Sequence, residues 1–174
     1  MDTEKRMGNS KMIMKYFDYE CCYEDPDKLF GERYLLYRKY IDSIYTQLPC
    51  GFRILARDLY LHDSIIRECI WDKKNKKVTL QCDCEDLDIG YVHLTLTYLD
   101  LYNQLDLKKL EPSQRYKHVE INRSEIELLN SDYISHKMIF FTRNEIEFIC
   151  KNVSLQIEPS FTKVRNITCE VTII

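Results

Sequence analysis

His62 and Asp63 are neighbours in the sequence, and a histidine beside a carboxylate can supply a general base or two metal ligands. Adjacent residues on an extended chain point to opposite faces, however, so the two side chains are not expected to converge on one substrate. The local sequence favours a turn or capping role, with both side chains bonded to nearby backbone. His136, just ahead of an apolar run, is a candidate to meet His62 in space, and the sequence leaves open whether it does.

Four carboxylates, Asp83, Glu85, Asp86 and Asp88, form an acidic strand end and loop. Carboxylates at such spacing can bind Ca²⁺, but the geometry of a calcium-binding loop, including its turn glycine, is missing. A charged outer face is the simpler interpretation. If these residues form a functional patch, a basic protein is a better partner for them than a metal. The sequence predicts neither a metal site nor a cofactor.

Two thiols, Cys82 and Cys84, share one face of a predicted strand and can form half of a zinc site. No Cys-x-x-Cys pair and no histidine pair at helical spacing lies nearby to complete it. Both cysteines continue the apolar face begun by Val78 and Leu80, which favours core packing. The eight cysteines are expected to be reduced, because the chain is long and opens with no export signal.

Lys73, Lys74, Lys76 and Lys77 form a basic tip that can contact phosphate. The sequence shows no flanking aromatic platform, so a solvated hairpin turn is predicted instead. The net charge of −3 and the pI near 5.8 argue against nucleic acid and anionic membranes as partners. Motifs of the types Gly-x-Ser-x-Gly and Gly-x-x-x-x-Gly-Lys are absent, and four glycines make close backbone approach to a phosphate hard to arrange.

The first element that must position these residues is a helix. Asp25-Pro26-Asp27 is a helix start, because aspartate caps free backbone N–H groups and proline is tolerated in the first turn. An apolar stripe then recurs at alternating steps of four and three and ends before Pro49-Cys50-Gly51. Its members are Phe30, Tyr34, Tyr37, Ile41, Ile44 and Leu48. Residues 52–58 are predicted to add one further helical turn.

From Leu59 onward the apolar period changes to 2, which predicts strands over residues 64–71, 78–84 and 92–98. A short strand is expected at 14–17. Ser124 and Glu127 match a capping box, but a hairpin is favoured there, followed by strands near 135–141 and 146–150. The apolar residues then change from even-numbered to odd-numbered positions, which predicts a bulge near Lys151 and Asn152. A final strand through Ile167 follows.

These elements predict an α+β fold with one long N-terminal helix packed on a mostly antiparallel, strongly twisted sheet of about six to eight strands. The inner faces of the strands are expected to include Val78, Val92, Ile146 and Ile167. A single domain is predicted over residues 14–174. Residues 1–13 are polar and are interpreted as a disordered leader or an alternative start.

Several segments resemble small bacterial families of unknown function, among them proteins proposed as immunity partners of bacterial toxins. The resemblance lies in residues 14–17, residues 61–66, and the pairing of residues 133–141 with residues 145–148. It implies a helix packed on a mostly antiparallel sheet and a role in protein binding. It carries no catalytic residues.

The sequence therefore predicts a non-enzymatic, cytoplasmic binding protein, such as an immunity-type protein or an inhibitor that blocks a partner protein. Thirteen tyrosines agree with this prediction, because a ring with a polar tip suits contact surfaces. The binding residues are expected among His62, Asp63, His136 and the four carboxylates. Two alternatives stay open: a small metal-dependent hydrolase using His62 and Asp63, and a small-molecule sensor with a pocket between helix and sheet.

Overall fold

The computed structural model describes residues 14–24, 26–86, 90–112, 117–160 and 170–174. Its helices are α1 (Pro26–Ile44) and α2 (Cys50–Arg57), and its strands are β1 (Ile65–Asp72), β2 (Lys77–Asp86), β3 (Gly90–Leu99), β4 (Val119–Leu128), β5 (Ile134–Phe140), β6 (Glu145–Cys150), β7 (Asn152–Pro159) and β8 (Glu170–Ile173). The α+β class is confirmed, while residues 1–13 lie outside the described residues. No helix in the described ranges has the length and apolar character needed to cross a lipid bilayer.

The helical region is divided where the sequence predicts one long helix. A π-helical turn, Glu20–Glu24, precedes α1, and a 3₁₀ turn, Tyr45–Gln47, separates α1 from α2. Leu48, directly before Pro49, is extended, and the Arg53 side chain donates hydrogen bonds to the backbone oxygens of Thr46 and Leu48 at 3.0 and 2.7 Å. These carbonyls are thereby satisfied outside an α-helix.

The apolar stripe of α1 is buried over only part of its length. Tyr37, Ile41, Ile44 and Leu48 are buried, whereas Tyr34 is 39% exposed. α1 begins at Pro26 as predicted, and Asp25 is not among the described residues. The outer half of the stripe therefore lines a surface rather than the core.

The sheet has the strand order β6-β5-β4-β1-β2-β3-β7, with neighbours antiparallel, and β8 pairs with β1 in parallel. The strands β6 and β7 end this order on opposite sides, yet a single residue, Lys151, connects them. The sheet must therefore curl until its two ends meet. At that point Lys151 N–H donates to the backbone oxygen of Leu99 at 3.1 Å, and Tyr102 N–H donates to that of Ile149 at 2.7 Å.

The predicted bulge near Lys151 and Asn152 is wrong for the same reason. The apolar residues change from even-numbered to odd-numbered positions there because the chain leaves one edge strand, β6, and starts the other, β7. β6 pairs with β5, and β7 pairs with β3. One strand with a bulge would have kept a single partner.

The predicted strand at residues 14–17 does not form either. Instead, the carboxylate of Glu125 accepts hydrogen bonds from the backbone N–H groups of Lys15, Tyr16 and Phe17, at 2.6, 2.8 and 3.4 Å. These N–H groups are therefore not available to a strand ladder. The hairpin predicted around Ser124 is confirmed, since β4 and β5 pair antiparallel.

One hydrophobic core joins the helices and the sheet. Val78, Val92 and Ile146 are buried as predicted, whereas Ile167 lies outside the described residues. Cys82 and Cys84 are 1% and 5% exposed and belong to this core, which agrees with their expected packing role. Within the described ranges, no group of three or more His, Cys, Asp or Glu side chains is placed to hold a metal ion.

Candidate functional site

His62 and Asp63 lie in the turn between α2 and β1, and their side chains do converge. Asp63 has a φ of 62°, so the chain turns sharply here instead of running extended. His62 Nδ1 consequently lies 2.7 Å from Asp63 Oδ1, although without the alignment of a hydrogen bond. The expectation that the two side chains point to opposite faces is therefore wrong. The turn is tied to β4 by Asp63 N–H, which donates to the backbone oxygen of Ile121 at 2.9 Å.

The ring of His62 is packed between aromatic side chains. Its centroid lies 5.6 Å from that of Tyr60, edge-on, and 5.9 Å from that of Phe141, stacked. Burial, followed by the nearby Arg123 guanidinium, lowers the pKa of His62. The imidazole is therefore neutral near pH 7 and serves as an aromatic wall.

His136 lies elsewhere, inside β5. It is fully buried, its Nδ1 lies 2.8 Å from the hydroxyl of Tyr98, and Nε2 has no hydrogen-bond partner in the described part of the chain. Burial lowers the pKa of His136 to about 3. No contact joins it to His62, so the structure does not assemble the pair that the hydrolase alternative would use.

Of the four predicted carboxylates, Asp83 is engaged by two basic side chains on the outer face of the sheet. Its Oδ1 lies 2.5 Å from His93 Nδ1 and 3.4 Å from a guanidinium nitrogen of Arg67. Asp83 and His93 are direct cross-strand partners, and Arg67 sits at a register shift in β1. Glu85 is exposed two residues further along β2. Asp88 and the side chain of Asp86 fall outside the described residues.

A groove about 130 Å³ in volume runs between α1, α2 and β4. We call it the His62 groove and define it by Phe30, Tyr34, Arg38, Tyr60, His62 and Arg123. The Arg123 guanidinium lies 4.4 Å from the centroid of Phe30, within cation–π distance. Apart from His62, none of these residues is marked by the sequence as a site residue, since α1 and β4 are far apart in the chain.

A second and larger recess, of about 420 Å³, lies where the ends of the sheet meet. We call it the lysine cavity. Lys73 and Lys76 of the β1–β2 turn line it together with Trp71, Tyr102, Tyr133 and Lys151. The predicted solvated hairpin turn is confirmed, since residues 73–76 are exposed between the paired strands β1 and β2, and connections distant in sequence supply two of the three rings beside it.

Comparison of the chain with protein-family models, with curated proteins and with solved structures gave no match in any of the three.

Proposed function

We propose that this is a non-enzymatic, intracellular protein that acts by binding a partner protein through the His62 groove and the exposed side of α1. One observation carries the proposal: partly exposed tyrosines and arginines lie together on this surface. Tyr34 and Tyr60 are 39% and 48% exposed, beside Arg38 and Arg123. Tyrosine and arginine, together with tryptophan, are enriched among the residues that dominate the binding energy of protein interfaces.

An exposed leucine extends the groove surface along α1. Leu35 is 62% exposed, and it follows Tyr34 by one residue, which places it about 100° further around the helix. An apolar side chain in water next to an aromatic rim gains free energy when a partner covers it. This supports a contact surface that includes the solvent side of α1 as well as the groove.

The charge of the groove indicates the chemistry of the partner. Arg57 at its edge is paired with Asp42, but no ion pair among the described residues includes Arg38 or Arg123. Such guanidinium groups favour a partner that presents a carboxylate beside an apolar side chain. This differs from the basic partner suggested by the acidic residues, because Asp83 is already held by His93 and Arg67.

The proposed role is that of an immunity-type protein or inhibitor, which blocks another protein by occupying its surface. It uses His62 as a neutral wall of the groove rather than as a base. Leu35 is positioned for direct contact with the partner. Arg123 and Arg38 supply the charge that orients it.

Affinity capture with matched leucine variants tests this proposal. The tagged wild type, Leu35→Glu and Leu129→Glu would each be used to capture proteins from the native host, with bound proteins quantified by mass spectrometry. Leu129 is 44% exposed in the β4–β5 turn and does not line the groove, so it is the control. We expect a stoichiometric partner that is retained by Leu129→Glu and lost by Leu35→Glu. A partner retained equally by both variants would reject the α1 surface.

A further inference from the structure

The walls of the lysine cavity are fixed by backbone contacts between connections distant in sequence. Lys76 and Asp100 both have positive φ angles, 51° and 56°, and the N–H of Leu101 donates to the backbone oxygen of Lys76 at 2.8 Å. The N–H of Lys73 donates to the backbone oxygen of Ile174 at 3.1 Å. Left-handed non-glycine residues persist where the surrounding structure holds them, so the cavity is preformed.

Positive charge predominates in the cavity. Three lysines, Lys73, Lys76 and Lys151, face one carboxylate, that of Asp100. In the part of the chain that the structure describes, none of the three ammonium groups takes part in an ion pair. Lys73 Nζ lies 4.5 Å from the ring centroid of Trp71, and Lys151 Nζ lies 5.8 Å from that of Tyr133. The ammonium groups of Lys73 and Lys151 are thus held near aromatic rings and remain able to bind an anion.

An aromatic ring stands at the mouth of the same cavity. Tyr102 is 71% exposed, and its centroid lies 5.2 Å from that of Tyr133 at an interplanar angle of 53°. A tyrosine ring left in water beside ammonium groups is the arrangement on which nucleic-acid bases stack while phosphate is neutralised nearby. The sheet supplies these groups from different strands and turns, which is why the basic tip alone does not reveal them.

We propose that the lysine cavity binds a nucleoside monophosphate, with the base stacked on Tyr102 and the phosphate held by Lys73, Lys76 and Lys151. The volume of about 420 Å³ falls within the range of small-ligand pockets, which is about 300–1,000 Å³. A single strand of nucleic acid requires a basic groove that follows its backbone, whereas this cavity is one recess between four connections. The observations therefore favour a mononucleotide over a polynucleotide.

Trp71 provides an intrinsic reporter for the test, since it lines the cavity and is the one tryptophan of the sequence. Adenosine monophosphate, adenosine and inorganic phosphate would be titrated separately, with tryptophan fluorescence and calorimetry as parallel readouts. We expect saturable binding of adenosine monophosphate, with adenosine and phosphate each about tenfold weaker, because each lacks one of the two contacts. Absence of binding in both readouts would overturn the proposal. Phosphate binding as tightly as the nucleotide would overturn the stacking contact.

Variants within and beside the cavity separate a specific site from general attraction to lysine. Lys151→Gln and Tyr102→Ala are expected to weaken adenosine monophosphate by about fivefold and about tenfold. Lys74→Gln should leave the affinity unchanged, because Lys74 belongs to the same turn as Lys73 but does not line the cavity. Equal losses in Lys74→Gln and Lys151→Gln would overturn the site. So would binding of oligothymidylate by a protein that fails to bind the mononucleotide.

Discussion

The hydroxyl of Tyr37 accepts a hydrogen bond from the backbone N–H of Ile126 at 2.8 Å. One turn later in α1, the hydroxyl of Tyr40 accepts one from the N–H of Leu128 at 2.9 Å. β4 pairs with β1 only at Val119 and Glu120, and Glu120 lies opposite Ile65, the first residue of β1, so these N–H groups lie beyond the start of β1. The tyrosines of α1 thus satisfy backbone donors that a neighbouring strand would otherwise take.

Replacing Tyr37 by phenylalanine tests that relationship. Tyr37→Phe keeps the ring but leaves a buried N–H without its acceptor, so the free energy of unfolding should fall by about 1–3 kcal/mol. Tyr34→Phe is the control, since Tyr34 is exposed at the groove and should change stability by less than about 0.5 kcal/mol. Urea unfolding measures both. Equal losses of stability in the two variants would show that the hydrogen bond from Ile126 to Tyr37 contributes no more to stability than the exposed hydroxyl of Tyr34.

The glycines of the two helices should respond in opposite directions to alanine. A Cβ at Gly51 would lie 1.8 Å from the carbonyl oxygen of Val153, so Gly51→Ala must push α2 away from β7. We expect a loss of about 3 kcal/mol or more. Gly31 in α1 has no atom within 4 Å of the added Cβ, and Gly31→Ala should raise stability by up to about 1 kcal/mol. Thermal unfolding that changes in the same direction for both variants would contradict this packing.

Acid should destabilise the fold through His136. Its pKa is about 3 when folded and about 6.5 as an ordinary histidine, so between these values the unfolded chain binds a proton that the folded chain does not. Stability is therefore full above pH 6.5 and falls as the pH drops, by up to about 1.4 kcal/mol per pH unit.

His136→Gln isolates this contribution from those of other groups. The lowered pKa of His62 acts in the same direction, whereas the raised pKa of Glu125 acts in the opposite one. Because both remain in the variant, its stability should fall less steeply than that of the wild type between pH 6.5 and 4. Urea unfolding at several pH values supplies the two curves, and parallel curves would exclude His136 as their source.

The segment at residues 14–17 should loosen when Glu125 loses its charge. The N–H groups of Lys15 and Tyr16 bind different oxygens of the Glu125 carboxylate. In Glu125→Gln one of these oxygens becomes an amide NH₂ group, which cannot accept a hydrogen bond, so one of the two N–H groups loses its acceptor. Hydrogen exchange of these amides should accelerate by about tenfold or more. Glu127→Gln is the control: Glu127 binds Lys137 Nζ at 2.6 Å but does not contact this segment. Equal acceleration in both variants would assign the effect to Lys137.

Strand alternation allowed much of the sheet to be predicted from the sequence. Val78, Val92 and Ile146 have the expected burial, because a period of 2 fixes which face of a strand is apolar. The same alternation places Asp83 and His93 on the outward face of one hairpin, where the structure pairs them. Finding it requires the register of β2 and β3, which alternation alone does not fix.

Contacts between distant segments account for what the sequence could not predict. The carbonyls after α1 are bonded by Arg53 of the next helix, and the turn in which His62 and Asp63 converge is held by the backbone of Ile121 in β4. The lysine cavity depends on the closure of the sheet at Lys151. Such arrangements arise from tertiary packing, which local sequence patterns do not predict.

Photochemical cross-linking from position 35 in living cells tests the proposed binding function most directly. A benzophenone side chain in place of Leu35 can form a covalent bond only with a protein that touches the exposed side of α1, and the same group in place of Leu129 serves as the control. We predict one discrete cross-linked partner from position 35 and none from position 129. Irradiation that yields no adduct from position 35, or the same adduct from both positions, would contradict the account.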